Sequence, residues 1–262
     1  MWDTHCHLYV REFDSDRSAM IERGQKAGVT KFFLPAIDQG THEAMLQMEI
    51  DYPDICFAMI GLHPCSVNER FEEEISIIRD LLKRRSFAGI GEAGLDFYWD
   101  KTYVEQQYQA LKLQTELALE YDLPLILHTR DATQETIDFL ATYKGRGLTG
   151  IFHCFGGTVE EAMQIIDLGF HLGIGGVLTY KNAQLDKMLE KIDLQHLVLE
   201  TDAPYLTPVP YRGKRNESAY LITIAEKLAN VKGCTRAEID LITTQNAERI
   251  FRKPSYQSII PM

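Results

Sequence analysis

The chain opens with the stretch Met1-Trp-Asp-Thr-His-Cys-His-Leu8, which reads as a short β-strand that carries two histidines. Side chains alternate between the two faces of a strand, so we expect His5 and His7 to point to one side and Cys6 to pack on the other. Two imidazoles on one face can bind a divalent metal ion together. Such pairs also arise by chance, so a metal site requires further ligands at the ends of other strands.

Seven more apolar runs follow the opening stretch, and a segment with helical periodicity comes after each run. The runs cover residues 31–37, 55–61, 87–92, 123–128, 148–155, 170–177 and 196–202. The predicted helices cover residues 16–26, Thr41 (as N-cap) to before Pro53, 68–85, 103–121, 133–143, a segment starting near 158, 184–192, 217–231 and 236–251.

Eight strand–helix units predict a single (β/α)8 TIM barrel with extra C-terminal helices, since barrels of this type have about 250 residues. We expect residues 1–251 to form this one domain and residues 252–262, which carry two prolines and no pattern, to form a flexible tail. A doubly wound open sheet is the structural alternative. The positions of the polar residues favour the barrel, because barrel enzymes carry their chemistry at the C-terminal ends of the strands.

The bulk composition limits the possible classes of protein. The chain has 262 residues, 45% of them hydrophobic, and no run of about 18 apolar residues that would cross a membrane. It also lacks the pattern of a signal peptide, and its five scattered cysteines contain no Cys-x-x-Cys pair. We therefore predict a cytoplasmic protein with reduced thiols and no evident obligate protein partner.

The formal net charge of −11 argues against a protein that binds duplex DNA through phosphate contacts alone. Any contact with nucleic acid must depend on local positive charge, and bound metal ions would contribute to it.

Histidines and carboxylates follow the predicted strands at the C-terminal edge of the barrel. Barrel closure places strand eight beside strand one, so Asp202 should join the first histidine pair at one metal ion. The histidines that end neighbouring strands five and six form a second pair, and Glu92 on strand four can bridge two ions with its two oxygens. Buried charges are costly unless they are paired or bound to metal. The predicted ligand set is His5, His7, Glu92, His128, His153 and Asp202.

Two residues near these ligands are candidates for contact with a substrate. His63 follows strand three at the same rim, although a structural role in the turn before Pro64 is equally open. Arg130 follows His128 closely and could bind a phosphate, or could instead pair with Asp131 or another acidic residue at the rim.

The loop after strand eight supplies positive charge over the predicted mouth of the barrel. Arg212, Lys214 and Arg215 lie within four positions, and Asn216 follows them. Arginine suits bidentate phosphate contacts, and we expect Arg215 and Asn216 to bind substrate. Incidental solvent-exposed charges are the competing interpretation for Arg212 and Lys214.

In combination, seven motifs resemble the TatD-type deoxyribonuclease family of the metal-dependent amidohydrolase superfamily. They are Asp-Thr-His-Cys-His at 3–7, Gly-Leu-His-Pro at 61–64, Gly-Glu-Ala-Gly-Leu-Asp-Phe-Tyr at 91–98, His-Thr-Arg-Asp-Ala at 128–132, His-Cys-Phe-Gly-Gly at 153–157, Glu-Thr-Asp-Ala-Pro-Tyr-Leu at 200–206 and Arg-Asn-Glu at 215–217. The resemblance spans residues 2 to about 251.

This resemblance implies a barrel, a divalent metal site bridged by Glu92, and hydrolysis of DNA phosphodiester bonds, often from the 3′ end. The sequence departs from the family pattern at Cys65, where a second histidine is common, and at Ser218, where proline is common. Neither position is a predicted ligand. No lysine ends strand four, which favours the subtype bridged by glutamate over the one bridged by a modified lysine.

The residues and the resemblance together predict an enzyme that cleaves phosphodiester bonds with a water activated by two divalent metal ions, which could be Zn, Mn or Mg. Asp202 would accept or steer the proton of that water. The substrate could be DNA, RNA or a small phosphodiester. Two other functions stay open: hydrolysis of a carboxylic ester, amide or lactone at the same site, and a protein that acts through partners and holds only structural ions.

Overall fold

Eight parallel strands follow one another in chain order in the computed structural model, which describes residues 1–251. The strands are β1 (Trp2–Asp3), β2 (Lys31–Pro35), β3 (Cys56–Ile60), β4 (Gly89–Asp96), β5 (Leu125–Arg130), β6 (Gly150–Phe152), β7 (Phe170–Ile174) and β8 (Leu197–Leu199). The predicted barrel is confirmed, and the fold is not the alternative, a doubly wound open sheet.

Backbone hydrogen bonds close the sheet between its first and last strands. The Thr4 N–H donates to the Leu199 carbonyl (3.1 Å), and the Asp202 N–H donates to the His5 carbonyl (2.9 Å). The His7 N–H then donates to the Ala203 carbonyl at 2.7 Å. The segments after β1 and β8 therefore lie side by side, which is the neighbourhood that the sequence predicts.

Nine α-helices connect and cover the strands in the described part of the chain. They are α1 (Arg17–Lys26), α2 (Gln39–Asp51), α3 (Phe71–Arg84), α4 (Val104–Glu120), α5 (Thr133–Ala141), α6 (Val159–Asp167), α7 (Leu185–Leu189), α8 (Leu221–Lys232) and α9 (Arg236–Ile250). The prediction that Thr41 caps α2 is wrong. Asp38 is the N-cap, and Thr41 Oγ1 accepts the Asp38 N–H at 3.2 Å as its partner in a capping box.

The strand β1 is shorter than predicted, because the regular ladder ends at Asp3. The chain nevertheless stays beside β2, since the Cys6 N–H donates to the Phe33 carbonyl at 3.0 Å. Cys6 is fully buried, with its Sγ 3.5 Å from the same carbonyl, so it packs as predicted. The two histidines on either side of it face the opposite direction.

An apolar plug fills the barrel and closes its N-terminal end. Ile126, Ile151 and Val198 belong to this inner cluster, and each lies two residues before a polar residue at the rim. Phe251, after α9, stacks on Phe33 with ring centres 3.8 Å apart. Because this end is packed with apolar side chains, the opposite end is where polar groups can gather.

Among residues 1–251, no helix combines the length and the apolar character needed to cross a bilayer. The predicted flexible tail, 252–262, lies outside the described residues and stays a prediction.

Candidate metal and active site

Glu92 lies at the centre of the polar cluster, with only 2% of its surface exposed. Its Oε2 is 3.1 Å from His5 Nε2 and 3.5 Å from His7 Nε2. Its Oε1 is 3.1 Å from His128 Nδ1 and 3.8 Å from His153 Nε2. Each carboxylate oxygen therefore faces a different pair of histidines, and the structure brings these five predicted residues together.

Asp202 completes the first group of donors. Its Oδ1 is 3.7 Å from His5 Nε2 and 3.6 Å from His7 Nε2. Ligand atoms about 2.0–2.1 Å from a tetrahedral zinc ion lie about 3.3–3.4 Å from one another. The distances from the two imidazoles to the carboxylate oxygens of Glu92 and Asp202 bracket that value, so these four side chains could hold one divalent ion.

The second group of donors surrounds the other oxygen of Glu92. His128 and His63 form a compact set with Glu92, in which His63 Nε2 is 3.3 Å from His128 Nδ1. His153 lies between the two groups, because its Nε2 is also 3.9 Å from Asp202 Oδ1. His128 Nδ1 and His153 Nε2 both lie within 3.8 Å of Glu92 Oε1, and with Glu92 they are the predicted ligands of a second ion.

A hydrogen bond to Tyr9 orients the His7 ring. The Tyr9 hydroxyl donates to the Pro35 carbonyl at 2.6 Å, so its oxygen must accept from His7 Nδ1, which lies 2.9 Å away. The proton then resides on Nδ1, and the lone pair of Nε2 faces Glu92 and Asp202. Metal-binding histidines show this arrangement, in which a second group holds the N–H of the nitrogen that does not bind the metal.

Two carboxylates act in the same way on the second histidine pair. Asp96 Oδ2 lies 2.9 Å from His128 Nε2, which leaves the Nδ1 lone pair for Glu92. Glu200 Oε1 lies 2.9 Å from His153 Nδ1, as an ion-pair contact rather than a well-aligned hydrogen bond, and leaves Nε2 to face inward. At His7, His128 and His153 the donor set thus fits a divalent metal, because the inward nitrogens are free of protons when the rings are neutral. His5 differs, since its buried Nδ1 has no hydrogen-bond partner among the described residues that would fix the tautomer.

His63 has the opposite arrangement. The Cys65 backbone N–H donates to His63 Nδ1 at 3.0 Å, so a neutral His63 carries its proton on Nε2. That N–H points at the second group, 3.5 Å from Glu92 Oε1. A protonated nitrogen cannot bind a metal but can donate to a substrate oxygen. His63 also caps the short 3₁₀ turn Pro64–Ser66, so its structural role in the turn is present, and its contact with substrate stays a prediction.

The charges of the cluster show what a cation would balance. Burial disfavours ionisation of Glu92, but the surrounding histidines His5, His63 and His153 hold its pKa well below the usual range. Burial likewise disfavours the charged form of His153, yet Glu200, Glu92 and Asp202 raise its pKa to about 10. The negative charge of several buried carboxylates in this cluster must therefore be balanced by nearby positive charge. Without a metal, protonated imidazole supplies it; a divalent ion would replace that proton.

Hydrogen bonds behind the site hold the segment that carries Asp202. The buried carboxylate of Asp3 accepts from the Thr201 N–H (2.9 Å), the Thr201 hydroxyl (2.6 Å) and the Ser218 hydroxyl (2.6 Å). Asn216 is fully buried, and its Nδ2 donates to the carbonyls of Thr201 (2.7 Å) and Tyr205 (2.6 Å). These contacts occupy the amide of Asn216, which positions the segment that carries Asp202; its predicted contact with substrate stays a prediction.

Arg215 likewise has partners away from the site. Its two terminal nitrogens contact the two oxygens of Asp16 at 2.7 and 2.9 Å, and one of them donates to the Glu12 carbonyl at 2.6 Å. A guanidinium held by this bidentate pair has little capacity left for a phosphate. Arg215 therefore ties the loop after β8 to the beginning of α1, and its predicted contact with substrate stays a prediction.

Arg130 remains available at the rim. Its guanidinium is exposed and lies over the Tyr98 ring, 3.8 Å from the ring centre, and within residues 1–251 it forms no ion pair with Asp131 or another carboxylate. Arg212 lies over Tyr180 at 4.1 Å and is exposed to solvent. Lys214 is exposed as well, so of the four cations predicted at the mouth only Arg215 is paired with a carboxylate within residues 1–251.

Sequence reasoning missed Tyr9, Asp96 and Glu200, which orient the histidines. A signal for them exists, because strand alternation places a residue two positions from a ligand on the same side. Tyr9 follows His7 by two positions, and Glu200 precedes Asp202 by two. Asp96 ends β4, four positions after Glu92, and reaches His128 on the adjacent strand.

Comparisons with known proteins match this chain over nearly its whole length. A family model described as TatD related DNase matches residues 2–252. The chain belongs to the TatD family. This membership confirms the resemblance carried by the seven motifs, and the chain is accordingly a metal-dependent hydrolase.

Several TatD-family relatives share this length and fold. The metal-dependent hydrolase YabD of Bacillus subtilis is 38% identical over 253 residues, which cover 96% of this chain and 99% of the relative. The 3′-5′ ssDNA/RNA exonuclease TatD of Pectobacterium parmentieri is 32% identical, with 96% and 99% covered. The crystal structure of YjjV, a TatD homologue from Escherichia coli, superposes with a TM-score of 0.91 at 28% identity, covering 97% and 98%.

Proposed function

We propose that this TatD-family hydrolase removes nucleotides from the 3′ end of single-stranded nucleic acid and uses two divalent metal ions to do so. The observation that carries the proposal is the position of Glu92, whose two oxygens face two separate sets of imidazole nitrogens. The exonuclease activity in the name of the Pectobacterium relative supports the choice of substrate.

The donors divide into two groups in this proposal. His5, His7, Glu92 and Asp202 would hold the first ion, and Glu92, His128 and His153 would hold the second. Divalent ions bound there would supply the positive charge that acidifies a water and neutralises a phosphoryl group. Imidazole and carboxylate donors suit zinc and manganese better than magnesium, which prefers oxygen ligands.

The protein side chains then handle protons and orient the substrate. Asp202 is the more exposed of the two central carboxylates, with 13% of its side chain accessible against 3% for Glu92. It can therefore meet an attacking water and accept its proton as general base. The Nε2–H of His63 is positioned to donate to a phosphoryl oxygen. Arg130 places a further positive charge at the rim, where the negative charge of the substrate enters.

The decisive experiment separates chemistry from metal binding. Metal-depleted protein is reloaded with Zn, Mn or Mg, and its metal content is measured. Each form is then incubated with single-stranded DNA and RNA labelled at the 5′ end, and the products are resolved by length. We expect about two metal ions per chain and a ladder that shortens from the 3′ end.

The variant Glu92→Gln should lose both the metal and at least about 10²–10³-fold of the activity. The matched control is Glu248→Gln, which changes an exposed residue on α9 at the far end of the barrel. Activity of Glu92→Gln near the wild-type level would overturn the proposal. Hydrolysis of a carboxylic ester or lactone in parallel reactions, with no cleavage of any phosphodiester, would assign the site to the acyl substrates instead.

A further inference from the structure

Two aromatic side chains stand out at the rim beside the second donor group. Tyr98 and Trp99 follow β4 directly and are 53% and 68% exposed, and Trp99 is the most exposed large hydrophobic residue of the described chain. Their rings meet edge to face, with centres 5.0 Å apart. Water-exposed aromatic rings at the mouth of a site need a physical reason, since burial in the core would stabilise the fold more.

These rings are firmly connected to the candidate metal ligands. Asp96 Oδ1 accepts the backbone N–H groups of Tyr98 (2.9 Å) and Trp99 (3.0 Å). The other oxygen of the same carboxylate contacts His128 Nε2. Gln107 also bonds both backbone polar groups of Asp96, at 2.9 and 3.1 Å. One buried carboxylate thus orients a candidate metal ligand and fixes the backbone that presents the two rings.

Arg130 adds a cation to the aromatic pair. It lies two positions after His128 on β5, opposite Asp96 in the strand register, and its guanidinium is 3.8 Å from the Tyr98 ring centre and 5.1 Å from that of Trp99. Aromatic rings beside an unpaired cation are the combination by which proteins bind single-stranded nucleic acid: the rings stack on bases while the cation meets the backbone.

The charged residues around the two rings determine from which side a nucleic acid strand could approach them. On one side, Trp99 borders a cavity of about 780 Å³ that is also lined by Asp38, Glu43 and Glu74. A phosphate backbone would be repelled there. On the other side lies Arg130, so a nucleic acid strand would run past the guanidinium with a base directed at the indole.

We propose that Tyr98, Trp99 and Arg130 form a subsite for one unpaired nucleobase next to the scissile phosphodiester, called here the aromatic shelf. The base stacks on the exposed indole of Trp99, and Arg130, resting on Tyr98, contacts the adjoining phosphate. A paired base in a duplex is covered on both faces by its neighbours, so the aromatic shelf selects single-stranded ends. This subsite rests on the proposed nuclease function and specifies the part of the substrate that is recognised.

Tryptophan fluorescence tests the aromatic shelf without any catalysis. The chain has two tryptophans, and Trp2 lies on β1 at the opposite end of the barrel. In metal-free protein at low salt, a single-stranded oligonucleotide should quench the emission of Trp99. A duplex, or an oligonucleotide of equal charge that lacks bases, should not. Trp99→Phe should abolish the quenching. Equal quenching by the base-free oligonucleotide would overturn the proposal.

Cleavage by the metal-loaded enzyme supplies a second readout. We expect wild-type kcat/KM to favour a strand with its terminal bases over the same strand with abasic ends by about tenfold. Trp99→Ala should reduce that ratio to near one, Trp99→Phe should restore most of it, and Leu241→Ala, which removes an exposed side chain on α9, should keep it. An unchanged ratio in Trp99→Ala would overturn the aromatic shelf. If the wild type cleaves neither strand, the nuclease proposal fails, and fluorescence alone decides on the subsite.

Discussion

Asp96 Oδ2 lies 2.9 Å from His128 Nε2, and this contact decides which nitrogen of the imidazole faces Glu92. Burial disfavours a charge on Asp96, but the hydrogen bonds from His128 and from two backbone N–H groups hold its pKa well below the usual range. It therefore stays ionised, keeps the proton on Nε2, and leaves the Nδ1 lone pair directed at the second group of donors.

Asp96→Asn should weaken binding at the second metal position by about 10–100-fold, because an amide no longer favours the required tautomer of His128. Competition titration with a chelating dye measures this affinity, and thermal unfolding of both proteins checks that the fold is kept. Asp100→Asn is the matched control, since Asp100 lies on the same loop but bonds only Thr102. Equal metal affinity in Asp96→Asn and the wild type would contradict the role assigned to Asp96.

His63→Ala should lower kcat by about 10–100-fold while leaving the metal content unchanged, because its inward nitrogen carries a proton and donates to substrate. His153→Ala, in contrast, should lose metal as well as activity. Elemental analysis and kinetics on the same preparations separate the two cases. Loss of metal from His63→Ala would show that His63 is a ligand after all.

Asp202→Asn should abolish hydrolysis, with a loss of at least about 10²–10³-fold, while the fold stays intact. The variant removes both the proton acceptor and one charged donor, but its backbone contact with His5 is independent of the side chain. Steady-state cleavage and circular dichroism provide the two measurements. Turnover near the wild-type level would exclude Asp202 from the chemistry.

Arg215→Ala should destabilise the protein by about 1 kcal/mol without changing the affinity for oligonucleotides, because its partner is Asp16 rather than a phosphate. Urea unfolding and oligonucleotide titration test the two parts of this prediction. Asp16→Ala should cost more, because Asp16 also pairs with Arg23 at 2.9 Å, and the double variant should cost less than the sum of the two. Weaker oligonucleotide binding by Arg215→Ala at unchanged stability would instead support the substrate role predicted from the sequence.

His171, on β7, should contribute to the acid lability of the protein. Burial, with help from the nearby His196 and Arg249, lowers its pKa from 6.5 to about 4. The unfolded chain therefore binds this proton at a higher pH than the folded one, so stability falls as the pH drops from about 6.5 to about 4. The largest possible loss from this residue is about 3 kcal/mol.

His171→Gln should flatten the stability curve in that pH window, relative to the wild type measured with the same metal load. Urea unfolding at half-unit pH steps gives both curves, and their difference removes the contribution of the other titrating groups. An identical slope in the two proteins would show that His171 does not titrate in this way.

Most of the architecture follows from local patterns. The order of strands and helices and the closure of β8 against β1 all agree with the sequence, because apolar periodicity and the parallel βα rule depend on neighbours along the chain. The ends of elements were predicted less well, as the wrong N-cap of α2 and the short β1 show. These ends depend on particular hydrogen bonds, such as that between Asp38 and Gly40.

The sequence alone determined that His5 and His7 share one side, that Glu92 and Asp202 lie near them, and that the chain has a (β/α)8 barrel of the TatD family. Only the tertiary structure decided which nitrogen of each histidine faces inward, since that depends on a partner elsewhere in space, such as Asp96 for His128 or Tyr9 for His7. It also decided that Arg215 and Asn216 bond to other residues of the chain and that the Tyr98 and Trp99 rings are exposed at the rim. The direction of a side chain depends on the packing around it, and no spacing along the chain specifies that.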